Sequence, residues 1–320
     1  MLTVATWNIE NFFRPGNAAG PTTQAAYDDK LAHLKATIEA IAPDVIGVQE
    51  VGQPEALEDL RAALGGGWQA IASEHPDGRG IRVGFLSTLP FAEHEDVVPF
   101  PALLKDIQQS DDGPLEHDMG RGALRVRVAH HGANLDLVCC HLKSKLLSFP
   151  GPRPGTTSFN PTDEDQRARY GAYALYRRAA EAATVRGYVD GLLDGHGADR
   201  ALVVLGDMND EPAAATTQML LGPPGSQIDT GGFAHPDGSD GMRLWNLAPL
   251  IPAADAYSRT FEGKHELIDH LLVSRRLVAP GNLPVVGVHH QAAGSVGVNP
   301  LARKDEPASD HDPVFAHLDI

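Results

Sequence analysis

The segment Arg200–Pro212, RALVVLGDMNDEP, sets the first constraint on the fold. Its run of Leu and Val reads as a buried strand. The run then stops abruptly in Asp207 and Asn209, with Met208 alone between them. A buried strand that ends in a carboxylate and an amide carries polar chemistry to the rim of a core, so the chain needs a sheet whose edge is a site.

Other segments supply the rest of such a sheet. LTVATWNI is β-branched and apolar, a strand. TQAAYDDKLAHLKATIEAIAP carries Leu31, Leu34, Ile38 and Ile41 at helical spacing and stops before Pro43. DVIGVQEV is a second strand, and PEALEDLRAALG a helix begun by proline and ended by glycine. WQAIAS, IRVGFLS, FAEHEDVV, GALRVRVA and LDLVCCHLKS follow as strands, with HHGAN as the hairpin turn between the last two. Thr162 is the expected cap of a long helix through DQRARYGAYALYRRAAEAATVRGYVDGLLDG. After ALVVLGDMND comes a loop-rich region from Thr216 to Thr260, then the strands ELIDHLLVS, NLPVVGVHH and PVFAHLDI. LKDIQQSDDGPLEHDMG and LLSFPGPRPGTTSFNP read as long loops. No linker or repeat interrupts this order, so residues 1–320 are expected to form one α/β domain, two sheets packed face to face with helices outside.

Composition narrows the class. No run of about 18 apolar residues suggests a membrane span, and the N-terminus lacks the pattern of a secretory leader. The expectation is a cytoplasmic protein, or a secreted one if a leader has been removed. Cys139 and Cys140 are adjacent; neighbours on a strand point to opposite faces, so no disulfide framework or zinc knuckle is expected. Acidic residues outnumber basic ones 42 to 26, a formal charge of −16, which argues against tight nonspecific binding of nucleic acid. It does not argue against acting on phosphates, because clustered carboxylates are also what a metal site is made of.

Asp207 and Asn209 have company. Asn8 in TWNIEN, Glu50 in GVQEV, His141 in CCHLKSK and Asp269 in LIDH sit at or near strand ends, and Asp310 and His311 in SDHDP precede the last strand. One carboxylate at a strand tip is ordinarily solvated or a helix cap. Six such clusters are a pattern, since strand ends converge at a common sheet edge. Carboxylate and amide oxygens with histidine suit a hard cation, magnesium first, with manganese and calcium open.

In that order, WNIEN, QE, HLKSK, GDMND, IDHLLVS and SDHDPV resemble the endonuclease/exonuclease/phosphatase family of metal-dependent phosphoesterases, from about Asn8 to Val314. The resemblance implies a four-layer α/β/β/α sandwich with the site at one edge of the paired sheets. It implies Glu50 as the principal metal carboxylate, with Asn8 and Asp310 completing its surroundings. Asp207 and Asn209 would lie beside the scissile phosphate, holding the nucleophilic water or a second metal. His311 would act as general base or phosphate ligand, oriented by Asp269. His141 is similar to the histidine of the pancreatic-deoxyribonuclease and sphingomyelinase branches, and HLKSK to bacterial extracellular-type nucleases. One departure is that IRVGFLS offers Arg82 where the deoxyribonuclease branch has a glutamate supporting that histidine.

Other residues weigh less. Lys143 and Lys145 alternate with His141, so all three could share a face, and Lys143, Arg121 and Arg125 are candidate phosphate contacts beside an equally ordinary solvated role. Trp7 and the tyrosines 170, 173, 176 and 188 are expected in packing, and His117, His130, His131, His289 and His290 belong to no motif. The leading expectation is a nuclease acting on DNA or RNA. The runner-up is a phosphatase or phosphodiesterase of a small soluble molecule; behind these stand a sphingomyelinase-type enzyme and a non-catalytic binding module. No obligate protein partner is evident.

Overall fold

The computed structural model describes residues 1–153, 156–223, 225, 227–291, 294–297, 299 and 302–320. Its first half runs β1 (Leu2–Phe12), α1 (Gln24–Ile41), β2 (Val45–Val51), α2 (Pro54–Leu64), β3 (Gln69–Ala72), β4 (Arg82–Ser87), β5 (Phe91–Pro99), β6 (Asp118–His130) and β7 (Ala133–His141). Then come β8 (Phe149–Pro150), β9 (Thr157–Ser158), α3 (Glu164–Leu193), β10 (Ala201–Asp207), α4 (Ala215–Leu220), α5 (Gly231–Ala234) and β11 (Trp245–Asn246). The chain closes with β12 (Arg259–Phe261), β13 (Lys264–Glu266), β14 (Asp269–Val273), β15 (Val285–Val288) and β16 (Val314–Leu318).

Two six-stranded mixed sheets result, β15-β16-β1-β2-β4-β3 and β11-β14-β10-β7-β6-β5, with β8-β9 and β12-β13 as small ribbons. Each sheet holds one parallel pair, β1 with β2 and β7 with β10. A parallel pair requires a crossover; α1 supplies the first and α3 the second, which places helices on the outer faces.

Period-2 alternation sorts the side chains into three apolar layers. Val4, Val45, Phe85, Leu137, Cys139, Val203, Leu205 and Leu271 fill the space between the sheets. Trp7, Ile46 and Val48 face Leu34 and Ile38 of α1 and Leu57 and Leu60 of α2. Val138, Cys140, Leu202, Val204 and Met208 face Ala182, Val185 and Val189 of α3. Cys139 and Cys140 thus belong to different layers, both buried free thiols. Each fully buried Val or Leu contributes roughly 1.5–3 kcal/mol, so the three layers dominate the stability. The fold is the α/β/β/α sandwich that the resemblance implies, and it contains the two packed sheets with outer helices expected from the strand order.

Local details follow from particular residues. The hairpin at HHGAN closes through His131 (φ 48°) and Gly132 (φ 87°), the left-handed pair a two-residue turn requires. The long helix is capped by Asp163, whose side chain accepts from Gln166 N, and not by Thr162, whose hydroxyl donates to the Gln166 side chain instead. The loop at 104–117 folds back on α3, with Asp111 paired to Arg169 and accepting from Tyr173. Of the other long loop, residues 154–155 lie outside the described residues, as do 224 and 226 in the loop-rich region.

Gly206, just before Asp207, has φ 146°, and a Cβ there would stand 1.8 Å from the Cys140 carbonyl oxygen on β7. Only glycine lets β7 and β10 approach this closely. Gly206→Ala is expected to cost roughly 3 kcal/mol or more from overpacking and backbone strain together. Urea unfolding checks it, and an unchanged midpoint would refute the close-approach argument.

Candidate active site

The site is the continuation of the inter-sheet layer. Along β10 the inward positions are Val203, Leu205 and then Asp207; along β7 they are Leu137, Cys139 and then His141; β14 runs back from Asp269 to Leu271. At one edge the apolar stripe turns polar on every strand. The carboxyl ends of both parallel pairs lie there, where ligand sites form in open sheets.

Asn8 spans the two sheets: its amide donates to Asp207 Oδ2 at 3.1 Å, and its Oδ1 accepts from Glu10 N at 3.0 Å. Glu50 would face the helices under strict alternation with Ile46 and Val48. A register shift between Val48 and Val51, with Glu50 at φ 63°, turns it to the cleft, where Asn11 N donates to its Oε2 at 2.8 Å. A matching shift on β1 carries Glu10 (φ 49°) and Asn11 (φ 47°). Left-handed non-glycine backbone of this kind is strained, and the surrounding bonds hold it.

Asp207 has its Oδ1 bonded by Asn209 N at 2.8 Å and its Oδ2 3.3 Å from His141 Nε2. His311 Nδ1 lies 2.7 Å from Asp269 Oδ2, and its Nε2 is 3.9 Å from both Asp207 and Asp310. Ser258 donates to the same Asp269 oxygen at 2.7 Å. The His311 backbone is fixed as well, since Trp7 Nε1 and the Gln291 amide both donate to its carbonyl at 2.8 Å.

A cavity of ≈ 430 Å³ opens on these groups. Asn8, Glu50, His141, Asp207, Asn209, Asp310, His311 and Arg121 line it, and Asp269 stands directly behind His311. Asn209 lines the cavity from beyond the strand, which ends at Asp207; at φ 53° it folds back, its amide donating to Leu142 O at 3.0 Å. Three expectations change. Lys143 does not share a face with His141 and is not among the lining residues: the strand has ended, and its ammonium is captured by the Ser144 and Leu146 carbonyls. Lys145 lines the cavity in its place, 3.1 Å from Asp210. Arg82 is no partner of His141, because it donates to Gly52 O and Ser73 O. Arg125 is likewise absorbed elsewhere, by Glu93 and Asp136.

Sequence reasoning missed Glu10, Arg259 and Arg303. Arg303 lies 3.1 Å from Glu10, whose Oε2 accepts from Asp310 N at 3.0 Å; Arg259 lies 3.2 Å from Asp310. Glu10 follows Asn8 by two residues within WNIEN, so alternation on that strand was the available signal. The arginines come from loops and a short ribbon, where no periodicity points to a site.

The charges are strongly perturbed. Burial and the neighbouring Asp269 push Asp207 up to about 6. Burial and Asp310 push Glu10 up to about 7. For Asp310 burial acts upward, but His311, Arg259 and Arg303 outweigh it and hold the acid below the usual carboxylate range. For His311 burial acts downward, yet Asp269, Asp310 and Asp207 outweigh it and raise the imidazole to about 10. His141 is held well below the ordinary histidine range by burial, Arg121 and His311. A neutral His141 that donates Nε2–H to Asp207 leaves Nδ1 as an acceptor, and this atom is buried without a donor among the described residues.

The donor set fits a hard divalent cation. The acids converge on one cavity, Asp269 Oδ1 is a buried carboxylate oxygen with no partner among the described residues, and ligand atoms of Asp207, Asp269 and His311 lie within 4.8 Å of one another. Within that trio, Asp269 and His311 already satisfy each other at 2.7 Å, a carboxylate–imidazole pairing that orients the ring. Glu50, Asp310 and Asn8 line the same cavity and bring further oxygens to it.

The His311 shift has a definite sign. A histidine whose pKa rises on folding stabilises the fold in full below its ordinary value of 6.5 and loses that contribution as pH climbs toward about 10. In the metal-stripped protein the His311 ring is expected to titrate far above 7 by NMR, and Asp269→Asn to bring it down by at least one unit. A wild-type value near 6.5 would contradict the geometry.

A family model for the endonuclease/exonuclease/phosphatase family matches residues 5–311. Among solved structures the chain is similar to a mannosyl-6-phosphatase of Bacteroides thetaiotaomicron VPI-5482, at 15% identity over 100% of both chains with a TM-score of 0.58. It is also similar to truncated TDP2 of Caenorhabditis elegans, at 13% identity over 100% of this chain and 98% of that one, TM-score 0.56. A third likeness is to the human Nocturnin catalytic domain with bound sulfate anion, at 15% identity over 99% and 94%, TM-score 0.55. At these identities the structures speak for the fold alone. No match was found among curated proteins. Among the described residues no helix is long and apolar enough to cross a membrane. With the match running over nearly its whole length, the chain belongs to the endonuclease/exonuclease/phosphatase family, hydrolases of phosphoric esters that generally depend on a divalent metal.

Proposed function

We propose that this protein is a divalent-metal-dependent phosphoester hydrolase whose substrate offers a single phosphate to a walled pocket, as a small phosphoester or the end of a nucleic-acid strand does. The observation that carries this reading is the size and lining of the cavity. Leu147, Phe149 and Phe159 of the long loop line it, as do Phe261 and Val296. A volume of ≈ 430 Å³ is in the range of small-ligand sites. An acidic chain with a walled site suits a duplex poorly, since a duplex needs an open basic face. Hydrolysis within a DNA or RNA strand is the second reading. Arg79, Arg121, Lys145 and Arg167 on the cavity lining favour it.

In the proposed mechanism Glu50 and Asp310, with Asn8 beside them, would hold the cation, which when bound would supply the charge withdrawal that phosphoester hydrolysis needs. Asp207, poised at about 6, is matched to accept a proton from water near neutral pH. Asn8 and Asn209 N fix the direction of its carboxylate. His311, positively charged between three acids, is suited to bind phosphate oxygen as an imidazolium. A positive charge that neutralises Asp310 or Asp207 would lower the pKa of His311, which those acids raise. Asp269 and Ser258 keep the ring in place.

Asp207→Asn and His311→Ala are each expected to reduce turnover by about 10² or more with the fold intact by circular dichroism. A variant with wild-type rates would remove that residue from the chemistry.

EDTA is expected to abolish activity and magnesium or manganese to restore it. A panel of p-nitrophenyl phosphate, bis-(p-nitrophenyl) phosphate, a single-stranded oligonucleotide with a terminal phosphate and supercoiled plasmid tests the substrate class. Turnover of the first three without plasmid nicking supports the proposal. Efficient nicking supports the second reading, and full activity after thorough demetallation would exclude the metal role.

A further inference from the structure

We infer that Arg259 is a substrate-binding residue that grips a phosphate oxygen beside the cation site, an inference that rests on the phosphoester reading above. Arg259 opens β12, and its neighbours on either side serve the same site. Ser258 holds Asp269 at 2.7 Å, and its carbonyl accepts from Asp312 N at 2.7 Å. Arg259 itself bridges to His311 along the backbone. Phe261, two residues on, lines the cavity, as Arg259 does. The ribbon therefore carries the guanidinium on the segment that braces the histidine.

The side chain is only half engaged. Nη2 lies 3.2 Å from Asp310 Oδ2, while Nε is buried and has no acceptor among the described residues. These two nitrogens form one edge of the guanidinium fork, the edge that takes two oxygens side by side. Asp310 fills one tooth, and its other oxygen is the one nearer His311. The open tooth calls for an oxygen from outside the protein. The plane is held as well, for Cζ sits 5.2 Å from the centre of the Phe261 ring, which leaves the in-plane edges for hydrogen bonding. A cation at Glu50 and Asp310 would share the Asp310 charge and loosen its hold on Nη2. A phosphate oxygen arriving there would then meet both N–H groups. A lysine could supply the charge but not the fork.

Inorganic phosphate titrated into the magnesium-loaded protein by calorimetry tests this without requiring turnover. Arg259→Ala is expected to weaken phosphate binding at least tenfold and Arg259→Lys to recover only part of the loss. Magnesium affinity without phosphate should be unchanged or tighter, as Asp310 loses a competitor. Phosphate affinity unchanged in both variants, with only magnesium binding altered, would make Arg259 a counter-charge to Asp310 and overturn the inference; so would a wild-type protein that binds no phosphate. If the variants do not fold, a wild-type crystal structure with magnesium and phosphate decides. A phosphate oxygen within hydrogen-bonding distance of Nε supports the inference, and one clear of Arg259 overturns it. A wild-type protein inert on every ester yet binding phosphate through Arg259 would refute the hydrolase reading and leave the contact standing.

Discussion

Buried polar contacts tie the two sheets together at the site: Asn8 to Asp207, His311 to Asp269 and, deeper in the layer, Gln49 to Cys139 Sγ. The Asn8 amide on β1 reaches Asp207 on β10, across the layer otherwise filled by Val4, Leu205 and their neighbours. An apolar layer is directionless; it fixes the distance between sheets but not the position of one edge against the other. The Asn8–Asp207 contact supplies that direction, and it can do so because both residues are buried, where an unpaired polar group would be costly. Glu50, Glu10 and Asp310 on one side, and His141, Asp269 and Asn209 on the other, meet across that edge, the His311–Asp269 pair adding a second link.

The acids gathered there are kept in a usable state by deliberate imbalance. Asp207 and Glu10 are pushed toward neutrality by burial and like charge, whereas Asp310 is held ionised by His311 and the two arginines. Lys30, buried beneath the acids on α1, has its own pKa lowered by burial against the pull of Glu10 and Asp310. Adjacent carboxylates with opposed shifts are the arrangement by which one pocket can both hold a cation and accept a proton.

Much of this was legible in the residues. Asn8, His141, Asp207 and Asp269 fall in the inward register of their strands, so alternation and strand-end position were enough. Trp7 took the packing role assigned to it, fully buried. Glu50 was found by motif, although alternation with Ile46 and Val48 would have sent it to the wrong layer; the bulge that rescues it leaves no mark in the sequence. Lys143 was misplaced because it was extrapolated along a strand that had already ended, and where a strand ends depends on partners distant in sequence. Arg259 and Arg303 were invisible because long-range ion pairs carry no period.

The shared inward register has a consequence for how such a chain can change over time. Asn8, His141, Asp207 and Asp269 each continue an apolar stripe two residues at a time. Deleting or inserting one residue within any of these strands would move its functional group to the opposite face, among the aliphatic side chains under a helix. Length variation is therefore confined to the connecting segments, which include the loop at 146–161 and the β12-β13 ribbon. Those segments also wall the cavity, so relatives can diverge in what they admit while the reacting groups stay locked in step.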